Sequence, residues 1–244
     1  RDLENITIPD SVTSIGSSVF QQCFALTNIT LPSTLTSIPN TMFSACRSLE
    51  SIIIPNAVTS IGNNAFSNCQ SLDNITLPSS LTSIGDYAFN YCYSLGSITL
   101  PSTLTSIGSS TFASCSALTS ITIPDSVTSI GSSAFYGCTA LVKAKIGSGV
   151  TTVPSSLFSN CDKCMLFDFT SATSEPTLSS AYAFNSTPYD SKIVVPDSLV
   201  TSWKADLNRK NITYVDIIPG LTKSNNCDYV CKDIRKIDFN NYES

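Results

Sequence analysis

Apolar residues recur through roughly the first two thirds of the chain with a fixed spacing of 23 residues. Three sets show this period, and neither an insertion nor a deletion shifts them out of phase. The first set is Pro9, Pro32, Pro55, Pro78, Pro101 and Pro124, with Gly147 in the seventh place. The second is Leu3, Leu26, Leu49, Leu72, Leu95, Leu118 and Leu141, and the third is Phe20, Phe43, Phe66, Phe89, Phe112, Phe135 and Phe158. Such a repeat predicts a solenoid, because a single copy cannot bury its apolar face without stacking on its neighbours.

The sixth copy shows how the residues of one repeat divide between the inside and the outside. Residues 118–123 carry apolar side chains at the first, fourth and sixth positions, which predicts a strand with those three side chains pointing inward. Pro124 then ends the strand, because it has no N–H group to donate to a ladder. Val127 and Ile130 are predicted to form a second inward pair on the opposite wall.

The remainder of each copy must lead the chain back to the next strand. In the sixth copy Gly131 allows a turn at the end of the second wall. Residues 132–138 are then predicted to form a short helical or irregular corner, which buries Phe135 and Cys138.

The repeat, written Leu-x-x-Ile-x-Leu-Pro-x-x-Leu-x-x-Ile-Gly-x-x-x-Phe-x-x-Cys, resembles the BspA-like, treponemal-type leucine-rich repeat over roughly residues 1–161. This resemblance implies a right-handed leucine-rich-repeat solenoid of seven 23-residue units, an α/β-type repeat fold dominated by β-strands. Pro39 and Pro154 replace the turn glycine, and Ala144 replaces the strand isoleucine. Gly-Ser-Gly stands at 147–149 in place of Pro-x-x, so the array begins to decay in the seventh copy.

We therefore divide the chain into a solenoid at 1–161, a degenerate repeat and capping region at 162–218, and a tail or the start of a following module at 219–244. The middle region must hide the apolar face of the last repeat. It contains strand-like segments and a predicted helix that Ser198 could cap. The predicted cap core is Leu199, Trp203 and Leu207.

Composition restricts the classes of partner. Only 13% of the residues are charged, the formal net charge is −5, and Lys and Arg form no stripe that would bind phosphates, so we expect no nucleic-acid partner. No run of 18 apolar residues predicts a membrane span. The chain begins at Arg1 inside a repeat and without a signal peptide, which we interpret as a mature or trimmed fragment.

The ten cysteines fall into two groups. Seven occupy one repeat position, where we predict a buried ladder of thiols that behave as small apolar side chains: Cys23, Cys46, Cys69, Cys92, Cys115, Cys138 and Cys161. Cys164, Cys227 and Cys231 lie outside it. With Cys161 they could form a zinc site, although the spacing is loose, and a disulfide that joins Cys227 to Cys231, or Cys164 to either, is the alternative in an exported protein.

Nothing in the repeats points to catalysis. The chain has no histidine, so it lacks the commonest general base, and we expect no enzyme activity, no cofactor and no metal. The repeat carboxylates are predicted to be turn and capping residues: Asp10, Asp73, Asp86 and Asp125. An enzyme with a site in the cap would need converging carboxylates among Asp190, Asp197, Asp206 and Asp216.

The outward positions of the predicted strands form two columns of hydroxyl and amide side chains. This surface could hydrogen-bond an extended protein segment or a glycan, but it lacks the aromatic and Arg anchors of tight interfaces. A plain solvated β-surface is the alternative interpretation. The predicted ligand-binding face is Asn28, Thr30, Ser51, Ile53, Asn74, Thr76, Ser97, Thr99, Ser120 and Thr122.

Tyrosines supply a second candidate surface at the corners of the fourth and sixth copies. Tyr87, Tyr91, Tyr93 and Tyr136 are flanked by small polar residues, as in sites that grip sugars or partner loops. Packing within the corners is the interpretation that the sequence favours.

The family resemblance implies a non-enzymatic binding module at the cell surface or secreted from the cell. It implies adhesion to host extracellular-matrix proteins or to cell-surface proteins of other cells, while the hydroxyl and amide columns leave a glycan as an alternative partner. A structural spacer that presents another domain is the alternative, and an enzyme with a site in the cap is a third reading.

Overall fold

The computed structural model describes residues 2–189, 191–209 and 215–219. It is a parallel β-solenoid of about nine turns with one short helix, which confirms the predicted strand-dominated repeat fold. We call each circuit of the solenoid a rung and number the rungs from Leu3, so that rung 2 begins at Leu26 and rung 6 at Leu118.

Short strands form two walls of the solenoid. In chain order they are β1 (Asn5–Thr7), β2 (Asn28–Thr30), β3 (Ser37–Ile38), β4 (Ser51–Ile53), β5 (Ser60–Ile61), β6 (Asn74–Thr76), β7 (Ser83–Ile84), β8 (Ser106–Ile107), β9 (Ser120–Ile123), β10 (Ser129–Ile130), β11 (Lys143–Ile146), β12 (Thr152–Val153), β13 (Leu166–Asp168), β14 (Thr177–Leu178), β15 (Ser191–Val195) and β16 (Val215–Pro219). A 3-10 turn at Asp197–Leu199 and helix α1 (Val200–Arg209) lie between β15 and β16.

Every strand pair in the described residues is parallel, and in the repeats each residue lies beside its equivalent one rung later. On the first wall Ile52 of β4 pairs with Ile75 of β6, and on the second wall Ile38 of β3 pairs with Ile61 of β5. The second wall is continuous from β3 through β10, whereas on the first wall residues 97–99 of rung 5 form no regular strand.

The predicted inward positions of rung 6 are buried, except that Ile130 on the second wall is half-buried. In rung 6 the side chains of Leu118, Ile121 and Ile123 are at most 2% exposed, and Phe135 and Cys138 are fully buried. The seven repeat phenylalanines form one continuous stack, with ring centroids 5.2 to 5.6 Å apart and interplanar angles of 15° or less. This stack runs along the axis and fixes the distance between rungs.

The third side of the solenoid, which we call the turn side, takes the irregular form of the two predicted for the corner. Residues 132–138 contain no helix; they form consecutive tight turns. Alternate N–H groups donate to the following rung, as Phe43 N does to Ala65 O at 2.8 Å, and the others close local turns, as Cys46 N does to Phe43 O at 3.0 Å. Two residues in each repeat adopt left-handed conformations: Ser18, Gln22, Thr41, Ala45, Asn64, Asn68, Tyr87, Tyr91, Ser110, Ser114, Ser133, Gly137, Ser156 and Asn160.

Six of the seven thiols at the repeated cysteine position are buried as predicted, and Cys23 in the first rung is half-buried. Cys46, Cys69, Cys92, Cys115, Cys138 and Cys161 are buried and unpaired, and each thiol donates to the carbonyl oxygen of the phenylalanine in the preceding rung at 3.0 to 3.3 Å. Burial raises the pKa of the Cys115 thiol to about 12. Burial and the neighbouring Cys23 raise the pKa of the Cys46 thiol to about 12. The thiols are therefore neutral donors in the core.

The stack continues beyond the predicted repeats. β13 pairs with β11 in the 23-residue register, but Leu166 of β13 pairs with Lys192 of β15, which lies 26 residues later. The ring of Phe184 follows Phe158 in the stack at 6.2 Å. The segment after 161 thus adds longer rungs to the same core.

The predicted cap core is formed around the helix. Trp203 and Leu207 are buried, and the Trp203 ring packs on Phe169 at 5.0 Å. Ser198, which we predicted to cap the helix, lies in the 3-10 turn before α1. Residues 220–244, including Cys227 and Cys231, lie outside the described residues, so the predicted tail and its disulfide stay predictions.

Glycine is required at position 131 because the backbone of the preceding rung lies against it. The φ of Gly131 is not positive, and an added Cβ would overlap the backbone N and Cα atoms of Ser109 in the preceding rung. We expect Gly131→Ala to lower the free energy of unfolding by about 1 to 3 kcal/mol, because backbone atoms would have to move. Gly96→Ala is the control, since its Cβ would meet no atom closer than 3.8 Å. Equal urea midpoints for the two variants would contradict this explanation.

The buried thiols should make the folded state less stable at alkaline pH, because they ionise more easily in the unfolded chain. The folded pKa of Cys115, about 12, lies above its unfolded value of roughly 8.5, so its contribution is complete below about pH 8.5 and is lost as the pH rises toward 12. Between pH 7.5 and 9.5 the free energy of unfolding, measured with urea, should fall by about 1.4 kcal/mol more for the wild-type chain than for Cys115→Ala. The same loss in both chains would show that this thiol ionises freely in the folded state.

Candidate binding surface

The outward residues of the first wall form one continuous surface, which we call the strand face. Each strand alternates exposed, buried and exposed side chains, as in Asn28, Ile29 and Thr30 of β2. All ten predicted ligand-binding residues are exposed on it. The in-register pairing places Ser51 beside Asn74 and Ile53 beside Thr76, and so aligns both columns along the axis.

Ile53 is the apolar exception in a column of threonines. Its side chain is 75% exposed, although the equivalent positions in β2 and β6 carry Thr30 and Thr76. An isoleucine at this position has no packing role in the core, because the inward position of the same strand is filled by Ile52.

A depression of about 390 Å³ lies on the strand face between rungs 4 and 5. Asn74, Thr76, Ser97 and Thr99 line it, so four of the predicted residues meet at one concave place. It coincides with the interruption of the first wall at 97–99. Sequence analysis missed this interruption because rung 5 keeps the repeat pattern. Gly96, just before it, is the local difference that could have indicated it.

The two columns of the strand face carry no charge from rung 2 to rung 6, although Glu50 and Asp73 are exposed just before the strands of rungs 3 and 4. Rung 7 introduces Lys143 and Lys145 in the two columns, and the Lys143 ammonium lies 3.8 Å from the Asp168 carboxylate. A ligand on the columns of the preceding rungs therefore meets hydroxyl, amide and isoleucine side chains, with carboxylates at the edge of rungs 3 and 4.

Three of the four repeat carboxylates serve the fold, as predicted, whereas the fourth, Asp73, is exposed just before β6. Asp10, Asp86 and Asp125 each accept a backbone N–H of the following rung at 2.6 to 2.7 Å. These carboxylates join adjacent rungs and do not converge on one another. The cap carboxylates stay untested, because Asp190 and the side chains of Asp206 and Asp216 lie outside the described residues.

Cys161 and Cys164 are both buried, and the Cys161 thiol donates to the Phe135 carbonyl oxygen at 3.2 Å. Across the described ranges, no group of three or more histidine, cysteine or acidic residues could hold a metal ion. Within the same ranges no helix is long and apolar enough to cross a membrane.

The corner tyrosines are only partly buried by packing. Tyr87, Tyr91, Tyr93 and Tyr136 are 40 to 45% exposed on the turn side, so packing within the corners covers just over half of each residue. Tyr182, 63% exposed, lies in the corresponding turns of rung 8. It escaped the sequence analysis because the 23-residue period is lost there.

Comparison with known proteins places the chain in a family. The matching family is the BspA type leucine rich repeat region, with six copies over residues 1–118, 36–166 and 82–205. A search of curated proteins found no match.

Solved structures of bacterial proteins share the fold. A leucine-rich repeat protein from Bacteroides ovatus is 28% identical, with a TM-score of 0.71 over 89% of this chain, and the chain spans 55% of that protein. The T. pallidum leucine-rich repeat protein is 27% identical, with a TM-score of 0.58 over 83% of this chain and 88% of its own. The pneumococcal vaccine antigen PcpA has the same fold, with a TM-score of 0.64. It is 20% identical, and the match covers 91% of this chain and 69% of that protein. The matched repeats and the in-register solenoid together show that the chain belongs to the BspA-type leucine-rich repeat family.

Proposed function

We propose that this chain is a non-catalytic binding module, extracellular or at the cell surface, that engages a protein partner through the strand face. The partner is a protein of the host extracellular matrix or of another cell's surface. The observation that carries the proposal is Ile53, a large apolar side chain that is 75% exposed in a column otherwise formed by threonine hydroxyls from rung 2 to rung 6. Leaving it in water forgoes burial worth about 1.5 to 3 kcal/mol, which a partner could recover by covering it.

The rigidity of the strand face favours binding. Its residues stand on paired strands, such as β4 and β6, whose inward side chains are locked in the core. A surface that is already ordered loses little conformational entropy when a partner arrives. The depression beside Thr76 and Thr99 gives this surface a concave place for a partner side chain.

The surface also indicates the chemistry of the partner. Between rungs 2 and 6 its two columns offer hydroxyl and amide groups without charge, which suits the backbone and polar side chains of an extended segment. Lys143 and Lys145 at the end of the face suit a partner that carries negative charge at one end only.

Binding should be abolished by charge on the strand face. The full chain is tested by surface plasmon resonance against immobilised fibronectin, laminin and type I collagen. We expect saturable binding to at least one of them, a loss of at least tenfold in Thr76→Glu/Thr99→Glu, and a smaller loss in Ile53→Thr, which restores the residue of neighbouring rungs. Thr36→Glu/Ser129→Glu adds the same charge to exposed positions of the second wall and should bind normally.

Thermal melts of all four proteins verify that each is folded. Binding that survives both glutamates on the strand face would contradict the proposed surface. Failure of the wild-type chain to bind any of the matrix proteins would favour the structural spacer.

A further inference from the structure

The tyrosines in the part of the chain that the structure describes lie on the turn side of the solenoid. Six fall within the described residues, and all of them lie in turn segments, outside both walls: Tyr87, Tyr91, Tyr93, Tyr136, Tyr182 and Tyr189. Each is at least 40% exposed. The core aromatic positions of the repeats are filled by phenylalanine instead, so the tyrosines add nothing to the stack that holds the rungs together.

Two of these tyrosines occupy backbone positions that disfavour them. Tyr87 and Tyr91 have φ angles of 56° and 59°, in the left-handed region. Bulky residues adopt this region at a cost. The same two positions are left-handed in the other repeats, where they carry smaller side chains such as Asn64, Asn68 and Ser114. The fold therefore does not require tyrosine at either position, and Tyr87 and Tyr91 are 45% and 41% exposed.

Hydrogen bonds and ring contacts hold the tyrosines of rungs 4 and 6 in place. The rings of Tyr91 and Tyr93 lie 5.9 Å apart and are tilted by 57°. The hydroxyl of Tyr136, two rungs and about 10 Å along the axis, accepts a hydrogen bond from Asn160 Nδ2 at 2.8 Å.

Rung 5 separates these aromatic groups with small polar side chains. Ser114 and Ser116 occupy the positions that Tyr91 and Tyr93 occupy in rung 4. The backbone joins the three rungs, since Tyr91 N donates to Ala113 O at 2.9 Å and Ser114 N donates to Tyr136 O at 2.7 Å. The arrangement is a strip of aromatic rings with hydroxyl groups between them.

The strip carries almost no charge. The turn segments of rungs 3 to 6, at 62–71, 85–94, 108–117 and 131–140, contain one charged residue, Asp86. Its carboxylate accepts the Ser109 N–H at 2.6 Å and thereby serves the fold. An acidic or a basic ligand would find no counter-charge here.

We propose that Tyr87, Tyr91, Tyr93 and Tyr136 form a second binding site, which takes an uncharged oligosaccharide. Tyrosine rings pack against the C–H faces of sugar rings, and their hydroxyls, with Ser114 and Ser116 between them, hydrogen-bond the sugar hydroxyls. Tyrosine also anchors protein interfaces, so binding of a protein at the strip is the alternative outcome that the test must separate from sugar binding. The site is independent of the strand face, which lies on another side of the solenoid.

The test is isothermal titration calorimetry of the full chain with three uncharged hexasaccharides, namely cellohexaose, maltohexaose and chitohexaose, and with a heparin-derived hexasaccharide. We expect at least one uncharged hexasaccharide to bind and the charged one not to bind. Tyr91→Ser/Tyr93→Ser should weaken binding at least tenfold while it melts no lower than the wild-type chain, since rung 5 already carries serine at both positions. Tyr189→Ser, which removes a 91% exposed tyrosine outside the strip, is the matched control and should bind normally.

Tyrosine nitration with mass spectrometry locates the site, because bound sugar should protect Tyr91 and Tyr93 and leave Tyr189 reactive. The proposal is overturned if no uncharged hexasaccharide binds, or if the double serine variant binds as tightly as the wild-type chain. It is also overturned if that variant loses binding to a matrix protein and not to a sugar. Thr76→Glu/Thr99→Glu should keep full sugar binding, so failure of this site and failure of the strand face are distinguishable.

Discussion

Each rung of the solenoid is held on the next by hydrogen bonds and ring contacts that recur every 23 residues. Parallel strands on two walls, carboxylate and amide bridges such as that of Asp86, and alternate N–H groups of the turn side all connect a residue to the following rung. The phenyl stack at 5.2 to 5.6 Å runs through their centre. Because all these contacts share one spacing, a shift of one residue in any rung would break them together.

This constraint produces the two surfaces that we propose to be functional. Residues that point inward are committed to the stack, so variation is confined to the outward positions of the strands and the exposed positions of the turns. Ile53 departs from its column on the strand face, and Tyr87 and Tyr91 depart from theirs on the turn side. In both places a residue appears that the fold does not require, which is why we assign these places to binding.

Periodicity alone predicted the inward side chains, the phenyl stack, the thiol ladder and the exposure of the ten strand-face residues, since each follows from a position within the repeat. Features that depend on neighbouring rungs were missed. Gly131 was expected to serve a turn, whereas the backbone of Ser109 leaves no room for a Cβ. The left-handed turns escaped because serine, threonine and tyrosine give no signal for positive φ, and the longer rungs after 161 escaped because their spacing varies.

The most direct test of the stacking register compares two deletions by thermal unfolding. Removal of 93–115 joins Cys92 to Ser116 and keeps every later residue in phase, so we expect a cooperative transition within a few degrees of the wild-type chain. Removal of 93–116 joins Cys92 to Ala117 and places Leu118 two residues after Cys92, whereas Leu95, which donates its N–H to Cys92 O, lies three residues after it. Every later residue is then out of phase by one. We expect this variant to lose cooperative unfolding or to melt at a much lower temperature. Similar melting of the two variants would contradict the account, because the rungs would then not depend on the 23-residue spacing.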